Sequence, residues 1–216
     1  NQMRTRIKRF LKQRTEMLAG VSHDLRTPLT RMKLQISLMR DEKAKSELEV
    51  DVNEMTSMLD SYVSFVKTES PEPIETIIIN ELISDIVKTV EKNGVELTIK
   101  EKNTIQTSGR QIQLKRAFNN IIDNSQRYAK KIEIILYTNE KDCVIEFNDN
   151  GEGIPRDKYE DVFKPFFTLD PSRNKLKGES GLGLTITRDI IRSHGGDIKL
   201  SESNLGGLKL KVLLPL

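Results

Sequence analysis

An imidazole, a carboxylate and a hydroxyl are carried by one short stretch, Ser22-His23-Asp24-Leu25-Arg26-Thr27-Pro28-Leu29. His23 and Thr27 are four residues apart, so they share one face of a helix, one turn from each other. Asp24 follows the histidine directly and can reach the imidazole from the side. Because neutral imidazole has a free lone pair near pH 7, this stretch is suited to accepting a phosphoryl group on nitrogen.

The surrounding sequence predicts two amphipathic helices between residues 5 and 67. Apolar residues recur at spacings of three and four in both halves, and a charged connector, Arg40 to Lys45, separates them. Helices joined by a short connector pack antiparallel, and each apolar stripe is wider than one partner can cover. We therefore expect the hairpin to dimerise into a four-helix bundle. The alternative is a monomeric hairpin packed on the rest of the chain.

Two prolines in Ser70-Pro71-Glu72-Pro73 interrupt the helical pattern and predict a domain boundary. We expect a first domain over residues 1–69 and a second over residues 70–216. In the second, β-branched runs alternate with helical patterns, which predicts an α/β sandwich with one mixed sheet under a layer of helices. The expected strands are Ile77–Ile79, Val95–Ile99, Ile132–Tyr137, Val144–Phe147, Ile198–Leu200 and Leu208–Leu214. The expected helices are Asn80–Glu91, Gln111–Tyr128 and Leu182–Ser193.

Two glycine-containing motifs in this second domain are suited to a nucleotide. In the first, Asp149 follows a strand, where its carboxylate can accept a hydrogen bond from an adenine amino group, and Gly151 and Gly153 let the backbone approach a ligand. The second motif, Gly178-Glu179-Ser180-Gly181-Leu182-Gly183-Leu184, opens the last long helix, whose N-terminus favours phosphate. Either motif alone is also compatible with an ordinary turn or helix entry.

A third element is helical and rich in amides. Asn120 and Asn124 are four residues apart and lie on one helix face, with Arg127 placed to meet phosphate charge. An amide oxygen is a hard ligand that suits Mg²⁺, which takes few protein ligands beside phosphates and water. Asparagine is a mediocre helix former, so its repetition here favours a functional role over a solvated face.

Composition limits the remaining possibilities. The formal net charge of +3 is too small to indicate a nucleic-acid-binding protein. The single cysteine, Cys143, cannot form an internal disulfide. We expect it to be a reduced structural thiol. No apolar run is long enough to span a bilayer and there is no signal peptide. The chain starts at Asn1 without an initiator methionine, so we expect it to be part of a longer protein.

Taken together, the motifs resemble, in order and spacing, those of the sensor histidine kinases of two-component systems. The resemblance covers essentially the whole chain. The segments that carry it are the H box His23–Leu29, the N box Asn120–Tyr128, the G1 box Asp149–Gly153, the F box Phe163–Phe167, the G2 box Gly181–Leu184 and the pair Gly195-Gly196. Val21 to Arg31 is especially similar to the EnvZ-type osmosensor kinases.

The resemblance implies an α+β protein, in which an antiparallel helical hairpin dimerises into a four-helix bundle and is followed by a Bergerat-type ATP-binding α/β sandwich. It implies ATP and Mg²⁺ as cofactors. The implied partners are a second copy of the chain and a response-regulator receiver domain, for which the OmpR-like class is a candidate. It also implies a cytoplasmic location, with membrane segments in absent N-terminal parts of a bacterial inner-membrane protein.

By the same resemblance, adenine lies on Asp149 and Mg²⁺ on Asn124. The other implied nucleotide-binding residues are Asn120, Arg127, Tyr128, Gly151, Gly153, Gly181, Leu182 and Gly183. The γ-phosphoryl group passes to His23, with Asp24 as the base, and then to an aspartate of the regulator. Thr27 would orient a water for the opposite task, dephosphorylation of that regulator.

One residue departs from the family pattern, and two other functions remain open. The family usually has a small residue where this chain has Glu179, and a carboxylate there would weaken ATP binding or alter the lid unless it points to solvent. One alternative is an ATPase of the Hsp90 or MutL type, which lacks the His23 hairpin. The other is a dimeric regulatory scaffold that binds ATP without phosphotransfer.

Overall fold

The computed structural model of the chain describes residues 20, 24–66, 72–90, 95–169 and 181–216. The chain divides into two compact units, residues 1–70 with 168–182 and residues 71–167 with 183–216. His23 and Glu179 lie outside the described residues.

The first unit is built on a helical hairpin. Helix α1 covers residues 24–37 and helix α2 covers Glu42–Val66. Its apolar core is formed by side chains of both helices, Leu29, Ile36 and Val52, with Met39 and Leu59 packed against them. Within the described part of the chain, no helix has both the length and the apolar character needed to cross a membrane.

The connection between the two helices is shorter than the charge pattern predicts. Asp41 caps α2, because its Oδ1 accepts hydrogen bonds from the backbone N–H groups of Lys43 at 3.0 Å and Ala44 at 3.1 Å. The helix therefore begins at Glu42. The prediction of a connector that extends to Lys45 is wrong, since a capped helix accommodates those charged residues on its exposed first turn.

The second unit is an α/β sandwich, as predicted. Its strands are β1 (Glu75–Ile78), β2 (Glu96–Glu101), β3 (Gln106–Gly109), β4 (Lys131–Thr138), β5 (Asp142–Asp149), β6 (Asp197–Glu202) and β7 (Leu208–Pro215). Its helices are α3 (Ile79–Val90), α4 (Gln111–Tyr128) and α5 (Gly183–Ser193), with 3₁₀ turns at Arg156–Lys158 and Asp161–Phe163.

Five strands form a mixed sheet in the order β2-β4-β5-β7-β6, in which only the β2–β4 pair is parallel. Alternate residues of β4 are buried, which is the pattern of a sheet with one face on the core. Helix α4 packs over β5, where the rings of Phe118 and Phe147 lie 6.1 Å apart. Asp149 pairs with Ile132 and lies at the end of β5, a central strand of the sheet. It comes two residues after Phe147, so both side chains lie on the same face of the sheet.

A second, two-stranded sheet corrects the expectation of one sheet. It pairs β1 with β3 antiparallel. Strand β3 was not predicted, because its inward residues are Thr107 and Gly109, which show no apolar alternation. The Thr107 hydroxyl finds a partner instead by donating to the carbonyl of Pro215 at 2.7 Å.

Cys143 lies in the core of this unit, consistent with a structural thiol. It is fully buried, and its Sγ donates to the carbonyl of Gln106 at 3.3 Å. Burial raises the pKa of the thiol to about 11, so it remains protonated and unreactive near neutral pH.

Candidate functional site

The carboxylate of Asp149 is held in a fixed orientation. The residue is 5% exposed, and its Oδ1 accepts from the backbone N–H groups of Gly151 at 2.9 Å and Leu208 at 3.0 Å. Its own carbonyl accepts from the N–H of Gly207 at 3.1 Å. Within the described part of the chain both side-chain hydrogen bonds end on Oδ1, which leaves Oδ2 as an acceptor for a ligand donor.

Two glycines make this arrangement possible by close approach. A Cβ on Gly151 would lie 2.8 Å from the carbonyl oxygen of Tyr128. A Cβ on Gly207 would overlap Oδ1 of Asp149 and the backbone nitrogen of Gly151. Gly151 is among the residues that the sequence predicts, whereas Gly207 is not, although the Gly206-Gly207 pair directly before a strand is a signal for it.

Asn150 holds the same turn from its other side. Its Oδ1 accepts from the backbone N–H groups of Lys130 at 3.0 Å and Lys131 at 2.8 Å. These bonds tie the turn after β5 to the chain that leaves α4, whose last helical residue is Tyr128, 40% exposed. Gly153 follows in the same turn with a φ of +71°. The supporting role of Asn150 was not predicted from the sequence.

Helix α4 carries the amides that the sequence predicts as nucleotide ligands. Asn120 Nδ2 donates to the carbonyl of Gly183, the first residue of α5, at 3.2 Å. Asn124, one turn further along α4, is half-buried, and Arg127 is exposed in the last turn. Burial raises the pKa of Asp123 on the same helix, and the charge of Arg127 opposes that increase.

Gly183, the last glycine of the second motif, lies next to α4 at the start of α5. The carbonyl of Gly183 also accepts from the hydroxyl of Thr187 at 2.8 Å, which anchors the first turn. The preceding Leu182 is 1% exposed and Gly181 has a φ of +62°. The free N–H groups of such a helix start can bind anionic oxygens. Residues 170–180, which include the start of the motif, lie outside the described residues.

The aromatic segment after the 3₁₀ turns is anchored on α5. The guanidinium of Arg188 lies 4.5 Å from the ring centroid of Phe163 and donates to Glu160 at 2.8 Å. The Thr185 hydroxyl donates to the carbonyl of Phe163 at 2.9 Å. Phe163 is 7% exposed, whereas Phe166 is 58% exposed. Phe163 therefore packs within the protein, and Phe166 does not.

A histidine contact ties the far ends of α4 and α5 together. Nε2 of His194 accepts from the backbone N–H of Arg110 at 3.0 Å, so its proton is assigned to Nδ1, which lies 2.7 Å from the carbonyl of Ile190. This contact lies directly after the last residue of α5. The imidazole is occupied structurally and is not a second phosphoacceptor candidate.

The structure describes the phosphoacceptor stretch only in part. Asp24 and Thr27 are exposed residues of α1. His23 lies outside the described residues, so its geometry relative to them is not defined. Of the residues predicted to hold a nucleotide, those on α4 and β5 and Gly183 at the start of α5 occur in one unit, in which a hydrogen bond links Asn120 to Gly183. Gly181 and Leu182 belong to the other unit.

Family comparisons match both parts of the chain. Residues 109–216 match the family of histidine kinase-, DNA gyrase B- and HSP90-like ATPases. Residues 13–70 match the His Kinase A (phospho-acceptor) domain.

Individual relatives are similar over the whole of this chain. It is 31% identical over 217 residues to the sensor histidine kinase GtrS of Pseudomonas aeruginosa, covering 100% of this chain and 45% of that protein. It is 32% identical over 228 residues to the sensor histidine kinase CpxA of Escherichia coli, covering 100% of this chain and 50% of that protein. The chain thus spans about half the length of these curated relatives.

Solved structures share the fold. A mycobacterial sensor histidine kinase, MprB, superposes with a TM-score of 0.59 at 24% identity, covering 66% of this chain and 97% of that one. Full-length ShkA, solved in complex with AMPPNP, superposes with a TM-score of 0.72 at 15% identity, covering 93% of this chain and 46% of that one.

Proposed function

Because this chain belongs to the sensor histidine kinases and consists of their phosphoacceptor and ATPase-type domains, we propose that it transfers the γ-phosphoryl group of ATP to His23 and then to an aspartate of a response-regulator receiver domain. The observation that carries the proposal is the fixed carboxylate of Asp149, with one oxygen saturated by backbone donors and the other available. That arrangement fits recognition of an adenine amino group. We place the boundary between the phosphoacceptor domain and the ATPase-type domain between residues 69 and 70.

In this proposal the nucleotide is bound by α4, by the turn after β5 and by the segment that opens α5. Asp149 accepts from the adenine amino group, and the turn of Gly151 and Gly153 lets the base approach the backbone. Tyr128 and Arg127, at the end of α4, face the ligand from the helix. Asn120 and the Gly181-Leu182-Gly183 segment at the start of α5 hold the phosphate end, where backbone N–H groups favour anions.

Asn124 is the proposed ligand of Mg²⁺. The described residues contain no cluster of three His, Cys, Asp or Glu side chains that could hold a metal. Mg²⁺ in nucleotide sites needs only one or two protein ligands and takes the rest from phosphates and water, so a half-buried amide oxygen fits. When bound, the ion neutralises charge on the phosphates.

Transfer to His23 uses the neutral imidazole. Asp24 accepts a hydrogen bond from Nδ1–H, which leaves the Nε2 lone pair to attack the γ-phosphorus in line as the bond to the bridging oxygen breaks and ADP leaves. The proton lost from the imidazole passes to Asp24. Aspartate on the receiver domain then takes the phosphoryl group from Nε2.

Thr27 is the proposed phosphatase residue. Its exposed hydroxyl on α1 would orient a water against the phosphoaspartate of a bound regulator.

The enzyme would act as a homodimer, since the phosphoacceptor domain of this family is its dimerisation domain. We place this portion in the cytoplasm, as the catalytic part of a longer membrane sensor.

The test is incubation of the chain with γ-labelled ATP and Mg²⁺, followed by acid and base treatment. We expect acid-labile, base-stable label in the parent and none in His23→Gln, whose nucleotide affinity should stay within about two-fold. Label that persists in His23→Gln would move the acceptor elsewhere. A parent that binds ATP but takes no label would favour the alternative, a dimeric scaffold without phosphotransfer.

A further inference from the structure

The turn after β5 contains a chemically labile dipeptide. Asn150 is exposed to solvent and is followed directly by Gly151. In an Asn-Gly pair the glycine nitrogen can attack the side-chain carbonyl carbon of the asparagine, because no Cβ on the glycine hinders the approach. The same dipeptide occurs once more in the sequence, at Asn93-Gly94, which lies outside the described residues.

The reaction is an intramolecular displacement that needs only solvent. The nitrogen of Gly151 gives up its proton to a solvent base and bonds to Cγ of Asn150. The bond from Cγ to the side-chain nitrogen breaks, and that nitrogen leaves as ammonia. The cyclic imide then adds water. Opening at one carbonyl gives aspartate, and opening at the other gives isoaspartate, in which the chain continues to Gly151 through the former side-chain carbon.

The folded chain holds the attacking nitrogen in its unreactive form. The N–H of Gly151 donates to Oδ1 of Asp149 at 2.9 Å, and Asp149 is 5% exposed. Loss of this proton would leave an anionic nitrogen against a buried carboxylate, and like charges repel strongly where water is excluded. The native contact therefore opposes the first step of the reaction.

The side chain that would be attacked is also held. Oδ1 of Asn150 accepts from the N–H groups of Lys130 at 3.0 Å and Lys131 at 2.8 Å, and the Asn150 N–H donates to the carbonyl of Lys131 at 3.2 Å. These bonds restrict the rotations by which Cγ reaches the Gly151 nitrogen. The two donors on Oδ1 also polarise the carbonyl, but this has little effect while the nitrogen stays protonated.

We propose that Asn150-Gly151 is a site of deamidation that reacts only when the turn after β5 opens, and that its isoaspartyl form has lost the nucleotide site. Local opening of a turn costs less free energy than global unfolding, so the native protein reacts at a rate set by that opening. The loss of the nucleotide site rests on the proposed function, whereas the modification itself does not.

Isoaspartate is incompatible with the contacts of this turn. It adds a carbon to the backbone between position 150 and Gly151, which displaces the Gly151 N–H from Oδ1 of Asp149. Gly151 has little room to move toward α4, since a Cβ there would already lie 2.8 Å from the carbonyl oxygen of Tyr128. The carboxylate proposed to bind adenine therefore loses one of its two backbone donors.

The two products of the reaction provide a matched comparison. Both carry the same added charge, but aspartate keeps the backbone length and an oxygen in the place of Oδ1. Aspartate can therefore still accept from the N–H groups of Lys130 and Lys131. A loss of binding confined to isoaspartate assigns the effect to the backbone path and not to the charge.

The first experiment measures the modification in the full chain and uses no nucleotide. The parent is incubated in mildly alkaline buffer, without urea and at increasing urea, and its tryptic peptides are mapped by mass spectrometry for replacement of the side-chain NH₂ by OH. Fragment ions separate Asn150 from Asn148 in peptide 142–156. Peptide 93–100 contains the second Asn-Gly pair and gives the intrinsic rate of the dipeptide in the unfolded chain.

We expect Asn150 to react at least about ten-fold more slowly in the native chain than in the unfolded chain. Urea below the unfolding transition should raise the native rate progressively, and both Asn-Gly pairs should react at similar rates above it. A native rate equal to or faster than the unfolded rate would overturn the proposal. So would a native rate that stays at zero up to the transition.

The second experiment measures the consequence for the nucleotide site. Chain that has reacted in urea is refolded and passed over immobilised ATP with Mg²⁺, and the ratio of isoaspartate to aspartate at position 150 is measured in the bound and unbound fractions. We expect this ratio to be at least about ten-fold lower in the bound fraction. Equal ratios would overturn the proposed loss of the site. Failure of the proposed function gives a different result, because unmodified parent would then not be retained either.

Discussion

Asp149 separates two tasks between its carboxylate oxygens. One oxygen holds the turn through Gly151 and Leu208, and the other is left to a ligand. An asparagine at this position can still accept the hydrogen bonds that hold the turn. Its amide nitrogen would replace the oxygen that accepts from adenine, and two donors would then face each other. The role of Asp149 in binding can therefore be tested by a substitution that leaves the fold intact.

Asp149→Asn should weaken ATP binding by about 1–3 kcal/mol, the cost of an unsatisfied buried polar contact. Isothermal titration calorimetry measures the change. Asp142→Asn, at the opposite end of β5, is the matched control and should bind as the parent does. Equal affinities of parent and Asp149→Asn would exclude Asp149 as the adenine anchor. His23 should still accept a phosphoryl group from a phosphorylated regulator.

Thr27→Ala should separate the two proposed activities. In the proposed mechanism, autophosphorylation uses His23, Asp24 and the nucleotide site, none of which is altered, and alanine favours the helix at least as well as threonine. We expect labelling within about two-fold of the parent and a several-fold longer lifetime of phosphorylated regulator. Thr30→Ala is the control, since the Thr30 hydroxyl donates to the Arg26 carbonyl at 2.9 Å within the helix. Equal regulator lifetimes for Thr27→Ala and the parent would remove Thr27 from the phosphatase proposal.

At the scale of elements, α5 is joined to α4 at both of its own ends. Asn120 reaches Gly183 at the nucleotide end, and His194 accepts from Arg110 at the other. The Thr187 hydroxyl, 3.4 Å from the carbonyl of Ala117, lies between them. The two helices that carry the predicted ligands therefore form one rigid pair, which gives those ligands a fixed separation.

Across the opposite face of the sheet, strands β4, β5 and β7 share a charged cluster. Tyr137 donates to Glu146 at 2.9 Å, and Lys211 and Lys209 lie 3.3 and 3.6 Å from its carboxylate. Burial raises the pKa of Glu146, but the hydrogen bonds from Tyr137 and Lys211 and the charges of both lysines outweigh it and hold the pKa below its usual value. The ionised form is therefore favoured by folding.

Glu146→Gln should lower stability at pH 7 and lose that difference in acid. A carboxyl whose pKa is depressed in the folded state contributes stability above its unfolded pKa, and the contribution disappears as pH falls through the folded pKa. Urea midpoints of parent and variant should differ at pH 7 and converge well below the usual glutamate value of 4.5. Glu133→Gln, whose carboxylate pairs with Lys100 at 2.6 Å, controls for a general loss of surface charge. A constant difference at all pH values would contradict the assignment.

Local pattern predicted the elements that have a continuous apolar period and missed those that do not. The bounds of α4 agree with the sequence expectation because its apolar positions repeat without interruption from Gln111 to Tyr128. Strand β3 has no such signal, since it buries Thr107 and Gly109. The start of α2 at Glu42 depends on the Asp41 cap, which charge composition alone does not reveal.

The same distinction applies to the candidate site. Asp149, Gly151 and Asn120 could be identified because their residue types and spacings have a chemical meaning on their own. The supports could not, because each acts on a distant part of the chain: Leu208 donates to Asp149 across 59 positions, and Asn150 accepts from Lys130 across 20. Only tertiary structure brings these groups together.

At the scale of the whole molecule, the hairpin leaves apolar surface uncovered. Large exposed side chains of the two helices and their connection include Leu25, Met32, Leu34, Leu38 and Met55, from 44% to 83% exposed. Exposed apolar surface of this extent marks an interaction site. The predicted four-helix bundle would cover it with a second copy.

The chain should sediment at twice its mass of 24.7 kDa at tens of micromolar, on the order of ordinary interface affinities. Leu34→Asp, at a position 62% exposed in α1, should shift the equilibrium toward monomer. Ile112→Asp, 74% exposed at the start of α4, is the control and should remain dimeric. A parent monomer at these concentrations would count against the bundle.

The position of β7 in the sheet has a consequence for synthesis of the protein. It is the last strand of the sheet to leave the ribosome, yet it lies between β5 and β6, and its first residue and the glycine before it supply N–H groups that hold Asp149. Until Leu208 has emerged, β6 has no neighbour to pair with in this sheet and the Asp149 carboxylate lacks one of its two backbone donors. A nascent or prematurely terminated chain without β7 therefore lacks the fixed carboxylate on which the proposed nucleotide binding depends.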